Sequence, residues 1–383
     1  MKKKLFVHIG MPKAGSTALQ EFLYMNREVL EDMGLLYPDP RQLEQFSRKP
    51  QMMKGHHIVP MYLTGFFWAH FPKKNGITSD QIFTFIRNQI SASPAQKVLL
   101  SSEACWFMLN RPDVVKEFVN AFSDFDLKII AYLRRQDDHI QSGYNECIKS
   151  SFYTMNVDEF IEDRFLDPSN KYYSHLMLWV NTIGYNNITV RIYEKRCLIN
   201  GSIFDDLLAQ CGIELNKELK LPKKDANPRL SLDALIFQRI VNIICADKAV
   251  KQEFSSLLLA YSESNDRETT RAFGISNLLD QKQRDRINKW YSEENELLSS
   301  VFLTQSQKEA YQQSKTSGGS GNQHLSSEKI YEITNYIENQ NPDLINILFL
   351  QLNQPGNRLI TDISYYKVLK NTIESCLLKR NLI

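Results

Sequence analysis

What is scarce in this chain narrows its class before any motif is considered. Six cysteines (105, 147, 197, 211, 245 and 376) are spread over 383 residues with no C-x-x-C pair among them, so neither a zinc knuckle nor a disulfide framework is indicated. Free thiols in a reducing compartment fit best. Charge of one sign is absent too: 46 basic residues against 44 acidic give +2, and the short basic clusters Lys2 to Lys4, Lys73-Lys74 and Lys223-Lys224 read as solvated surface. Nothing there calls for nucleic acid. No apolar run approaches the length needed to cross a bilayer, and the run after Met1-Lys2-Lys3-Lys4 is too short for a signal peptide. The expectation is a cytoplasmic protein without an integral membrane segment. Low-complexity sequence is confined to Ser314 to Gln323, no internal repeat is apparent, and 43% hydrophobic residues with 11% aromatics exclude global disorder.

What is present is concentrated near the start. Leu5 to Ile9 is a short run of β-formers, Gly10-Met11-Pro12-Lys13-Ala14-Gly15 interrupts it, and Ser16-Thr17-Ala18-Leu19-Gln20-Glu21-Phe22-Leu23 opens with helical spacing. Strand, tight loop and helix in that order direct backbone N–H groups and the positive end of a helix dipole at one point, which suits a phosphate. A Walker A loop would read G-x-x-x-x-G-K-[ST]. Gly10 and Gly15 have that spacing, but Ser16 stands at the lysine position and Lys13 lies inside the loop.

The rest of the first 213 residues alternates strand and helix. Helices are expected over about Gly15 to Leu30, Gln81 to Ile90, Asp113 to Phe122, Asp137 to Lys149, Val157 to Phe165, Lys171 to Ile183 and Ser202 to Cys211. Strands are expected over Lys97 to Ser102, Asp126 to Leu133 and Asn187 to Tyr193. Residues 39 to 80 read as irregular, with His56-His57, Phe66-Phe67-Trp68 and His70. That alternation implies right-handed βαβ crossovers, hence an α/β fold: a P-loop-type central parallel β-sheet flanked by helices, with helical C-terminal additions. Ligands on such sheets bind at the carboxyl ends of the strands, where the pattern puts Lys13, Glu103 and Arg134. The expected division is a core over 1–228, a helical continuation over 229–313, a linker over 314–323 and a helical segment over 324–383. In the last of these Ile330, Ile333, Tyr336, Ile337, Leu344, Ile345, Leu348 and Leu350 mark amphipathic faces.

A second constellation follows the clearest strand: Leu133-Arg134-Arg135-Gln136, then Ser142 eight residues after Arg134, about two helical turns on. An arginine at a strand tip and a hydroxyl so placed could share a phosphate. Pro12-Lys13-Ala14-Gly15-Ser16-Thr17 resembles the 5′-phosphosulfate loop of sulfotransferases that use 3′-phosphoadenosine 5′-phosphosulfate (PAPS). Arg134 and Ser142 resemble that family's 3′-phosphate pair. Gln136 departs from the proline the family often has there, and Arg135 is the neighbour with which Arg134 could be confused. The likeness extends more loosely to Val190 to Lys195, similar to a late strand in the family, and to Asn227 to Ser231 and Lys289 to Leu303, similar to segments of bacterial carbohydrate-type members, so it covers about residues 1 to 305.

The resemblance implies sulfuryl transfer from PAPS, leaving 3′-phosphoadenosine 5′-phosphate (PAP), to a hydroxyl or amine, with a carbohydrate or glycolipid as acceptor and no metal. Lys13, with the amides of Ala14 to Thr17 and the hydroxyls of Ser16 and Thr17, would hold the phosphosulfate. Lys13 would also meet charge on the leaving oxygen. Glu103 is the first choice of base, His57 the second and His56 the third; a histidine suits neutral pH untuned, whereas a glutamate needs burial. For Glu103 the competing reading is a helix-capping acid, and for His8 a packed core histidine. The alternatives are a P-loop kinase with a degenerate loop, or a non-catalytic nucleotide-binding protein of the same fold.

Overall fold

Four consecutive buried residues, Leu5 to His8, require cover on both faces, and they form β1 (Lys4–His8) at the middle of a parallel sheet. In the computed structural model the described residues are 2–42, 54–67, 76–214, 216–222, 228–265, 278–312, 325–354 and 366–379. After β1 come α1 (Ser16–Met25), α2 (Arg27–Asp32), β2 (Leu35–Leu36), α3 (Ile58–Thr64), α4 (Ser79–Ala92), β3 (Lys97–Ser101), α5 (Ala104–Met108), α6 (Pro112–Ala121) and β4 (Asp126–Leu133). Next are α7 (Gln136–Ser150), α8 (Val157–Leu166), α9 (Tyr172–Ile183), β5 (Ile188–Ile192) and α10 (Ile203–Gln210). The remainder is helical: α11 (Leu232–Ile244), α12 (Lys248–Asn265), α13 (Gln281–Trp290), α14 (Ser292–Phe302), α15 (Gln305–Gln312), α16 (Ser327–Gln340), α17 (Pro342–Leu352) and α18 (Tyr366–Lys379).

Among the described residues five strands pair in the order β2-β3-β1-β4-β5, all parallel. The fold is therefore the expected α/β one, a parallel sheet flanked by helices with a glycine loop joining the central strand to the first helix. His8 faces Ser101 of β3 on one side and Ile130 of β4 on the other. Because the chain lays down β2 and β3 on one side of β1 and then crosses to β4 and β5, the order reverses at β1. A crevice opens at the carboxyl end of a strand where that happens.

By their contacts the residues form two compact units that interleave in sequence: Met1–Gln136 with Phe165–Ala226 and Lys289–Ser314, and Asp137–Arg164 with Asn227–Asn288 and Lys315–Ile383. The first holds the sheet. Within it, α15 is fixed by Gln307 Nε2 donating to the Val190 carbonyl (3.3 Å) and by an Arg196 guanidinium on the Ala310 carbonyl (3.2 Å). The second is helical: α11 packs on α12 and α17, and α16 on α12, α17 and α18. This differs from the expected consecutive segments, since 137–164 joins the later helices and 289–314 returns to the sheet. Composition along the chain does not record which helix packs on which. The expected linker, 314–323, lies outside the described residues.

Ile330, Ile333, Ile337, Leu344, Ile345 and Leu348 are buried as their spacing implies, while Leu350, two positions beyond Leu348 and off that stripe, is 64% exposed. A helix, α3, occupies part of the region read as irregular. Five of its seven residues are buried, so it has no polar face to give a helical period. Trp68 and His70 lie outside the described residues.

Candidate functional site

The chain leaves β1 still hydrogen-bonded to β4. Ile9 and Met11 N–H groups donate to the Ile130 and Tyr132 carbonyls (3.0 and 2.9 Å), and Tyr132 N–H donates to the Gly10 carbonyl (2.8 Å). Only after Met11 does the loop turn free, with Lys13 in the left-handed region at φ 65°. Gly15 follows at φ 83°, where a Cβ would lie 2.7 Å from Ile203 Cδ1 and 2.8 Å from Tyr193 Cε2. Backbone angle and close packing both demand glycine there. Gly15 is the N-cap of α1, with no side-chain cap bond and no acidic residue in the first turn. The first intrahelical bond runs from Leu19 N–H to the Gly15 carbonyl (3.0 Å), so the Ser16, Thr17 and Ala18 N–H groups precede the helical ladder and sit at the positive end of its dipole.

Glu103 is brought to this loop by the tip of β3. Gly10, at φ 102°, passes so close beneath it that a Cβ would lie 3.0 Å from Glu103 Cα. Although Glu103 is the N-cap residue of α5, its side chain makes no capping bond. Its Oε2 accepts from Gln20 Nε2 at 2.5 Å and lies 3.8 Å from His57 Nδ1. The capping alternative therefore fails, and the carboxylate instead faces the helix that starts at the loop. Gln20 is buried one turn after Ser16 on α1, and a Cβ on Gly55 would lie 2.7 Å from its Cδ, so the amide is wedged between Gly55 and Glu103. Sequence reading missed Gln20. The available signal was a polar residue among Leu19, Phe22 and Leu23 on a buried helix face.

Ser101 and Ser102 anchor three histidines. His57 Nδ1 is 3.0 Å from Ser102 Oγ, and His8 Nδ1 is 2.8 Å from Ser101 Oγ. His56 is committed at both ring nitrogens: Ser101 N–H donates to Nδ1 (3.1 Å), and Nε2 donates to the Pro38 carbonyl (2.9 Å). That arrangement fixes one neutral tautomer, and burial pushes the pKa down to about 4. His56 has no nitrogen left to take an acceptor proton. His8 is wholly buried against Tyr132, edge to face at 5.7 Å, with its pKa lowered to about 4 by burial against the opposing charge of Glu103. It is the packed core histidine expected.

At the tip of β4 the two arginines diverge. Arg134 Nη1 donates to the Lys13 carbonyl (3.3 Å) and its backbone N–H to Met11 Sδ (3.3 Å), whereas Arg135 Nη1 donates to the Tyr311 carbonyl (3.0 Å). Arg134 is thus the one of the pair on the loop. Gln136, where a proline was the family's habit, uses its amide to hold Asn295 (2.7 Å) and the Tyr311 hydroxyl (2.9 Å). Ser142 is buried on α7 in the second unit. Arg191 of β5 is spent on fully buried Asp206, which also accepts from the Tyr132 hydroxyl (2.7 Å).

Loop, Lys13, Arg134, Glu103 and His57 therefore all belong to the sheet unit and converge on one strand edge. Among the described residues no group of three or more His, Cys, Asp or Glu is arranged to hold a metal ion, and no helix is long and apolar enough to cross a membrane.

No protein-family model matches the chain. A curated relative from Archaeoglobus fulgidus, described only as an uncharacterized protein, is 35% identical over 146 residues, which is 37% of this chain and 38% of that protein. The chain thus aligns with well under half of that relative's length. Among solved structures, a sulfotransferase from Alicyclobacillus acidocaldarius is similar over 80% of this chain and all of its own, with 11% identity and a TM-score of 0.39. At that level neither activity nor site residues transfer to this chain.

Proposed function

We propose that the chain is a sulfotransferase that moves a sulfuryl group from PAPS to an acceptor hydroxyl on a carbohydrate or glycolipid. The observation that carries the reading is the uncapped start of α1 behind a loop containing Lys13, set against the Glu103 carboxylate, which caps no helix, with the His57 imidazole 3.8 Å from it. The start of α1, with its N–H groups ahead of the helical ladder, suits a donor's phosphosulfate. Ser16, Thr17 and Ala18 N–H groups, with the Ser16 and Thr17 hydroxyls, are the donors for its oxygens. Arg134 is our assignment for the 3′-phosphate, resting on its bond to the Lys13 carbonyl.

PAPS supplies an activated sulfuryl group whose S–O bridge to the 5′-phosphate breaks as the acceptor oxygen bonds to sulfur, the electron pair leaving with PAP. Lys13 meets the charge that grows on that bridging oxygen, so its contribution belongs to the transition state. Glu103 takes the proton released by the acceptor, and Gln20 holds its second-side geometry. A second reading has support in the geometry: with Nδ1 turned to Ser102 and Glu103, His57 would be the base and Glu103 its orienting partner. Kinase chemistry is disfavoured by Ser16 at the Walker lysine position.

The test is thermal shift of the full chain with PAP, ATP and GTP, with and without chelator, since a ligand stabilises only what it binds. PAP alone should raise the midpoint, and chelator should leave the shift intact. A shift by ATP or GTP that needs magnesium would replace this reading with the kinase one. For the chemistry, Lys13→Ala should lower single-turnover transfer by about 10²–10³ while PAP affinity falls far less. An unchanged rate would remove Lys13 from the reaction.

A further inference from the structure

Two helices in the sheet unit begin at the proposed base and end at one cavity. α3 starts beside His57 and finishes at Thr64; α5 starts beside Glu103 and finishes at Met108. The cavity at their far ends has a volume of about 300 Å³ and is lined by Thr64, Phe66, Phe107, Met108, Asn110 and Arg111. At 1.5 Å per residue, the rise along each helix from Glu103 or His57 to its far end is about 7–11 Å. Its size is at the lower end for small-molecule sites, enough for part of a ligand. Two aromatic rings and a thioether form the walls; the hydroxyl, amide and guanidinium sit among them. Phe66, at the mouth, is 59% exposed.

We infer that this cavity seats the apolar portion of the acceptor, so the acceptor is an amphiphile whose reacting hydroxyl stands about 7–11 Å from an aromatic or alkyl body. The inference rests on the acceptor side of the sulfotransferase reading. A free monosaccharide would leave the cavity unfilled. A sugar carrying a lipid-like or aryl aglycone would span from the carboxylate to Phe66, with Asn110 and Arg111 left at the rim for polar groups.

n-Octyl and methyl β-D-glucopyranoside share a head group and differ only in the tail, so calorimetry with both, below the micellar concentration of the first and on the full chain, reads the cavity directly. Burying two methylenes is already worth about tenfold, so the octyl compound should bind at least ten times tighter. Phe66→Ser, which opens the mouth, and Asn110→Trp, which fills the space from an exposed position, should each shrink that ratio to below about threefold with PAP binding unchanged. Equal binding of the two glucosides by the native chain would overturn the inference, as would a ratio that survives both substitutions. Failure of PAP to bind would sink the donor-site reading instead and leave the glucoside comparison standing, so the two failures are distinguishable.

Discussion

Acid should destabilise the sheet unit, and His175 offers a way to measure why. This residue of α9 is buried with its ring 4.3 Å from that of Trp106, its Nε2 has no hydrogen-bond partner among the described residues, and burial lowers its pKa from 6.5 to about 4. A base with a depressed folded pKa is protonated first in the unfolded chain. Stability is therefore full above pH 6.5, falls as pH drops through the window, and stops falling below about 4. At pH 5 that difference amounts to about 2 kcal/mol. His8 and His56 have the same shift, so the three together withdraw about 6 kcal/mol, against a total of about 5–15 for a domain. His175→Phe keeps a ring of similar size and abolishes the titration. Urea unfolding followed by the fluorescence of Trp106 and Trp179, both buried in the same unit, should show the stability lost between pH 7 and pH 5 reduced by about 2 kcal/mol, or about 1 M urea in midpoint. Equal losses in native and variant would refute the reasoning.

Three further outcomes follow from the loop and its neighbours. Arg134→Ala should weaken PAP by about 1.5–3 kcal/mol by calorimetry, the scale of a hydrogen bond to a charged group, and leave adenosine 5′-phosphosulfate nearly untouched; equal losses would give Arg134 only its bracing bond to Lys13. Gly15→Ala should cost about 1–3 kcal/mol in urea unfolding through the left-handed backbone and the contacts at Ile203 and Tyr193, and native stability would contradict that packing. Gln20→Leu should lower turnover with PAP affinity unchanged, with Gly55→Ala pushing the same amide aside and producing a smaller drop; a PAP dissociation constant that moves with turnover would assign Gln20 to the nucleotide instead.

Legibility in the sequence tracked how local each cause was. β4 was readable to the residue because eight buried or half-buried positions in a row leave no alternative to a strand in a covered sheet. The loop was readable because glycine at positions 10 and 15 answers a backbone demand that sits within six residues. Glu103 could be placed at a strand tip by the same logic, but its partners could not, since Gln20 lies 83 residues away and meets it only when β1 and β3 pair. His56 looked as suitable a base as His57 until the Pro38 carbonyl and the Ser101 amide were found on its two nitrogens. Two-residue β2 was too short to carry a period at all.

The return of α15 to the sheet unit has a consequence for synthesis. A ribosome releases this chain from its N-terminus, and β5, Arg135 and Gln136 wait for Gln307 and Tyr311, which emerge more than a hundred residues after β5. Until then the outer flank of β5 lacks its cover, and unpaired strand edges in nascent or partly folded chains are where aggregation begins. Closure of the sheet unit is thus timed by the end of a distant helix, so a fragment stopped at residue 228 would contain every strand found among the described residues and every candidate base yet remain unfinished.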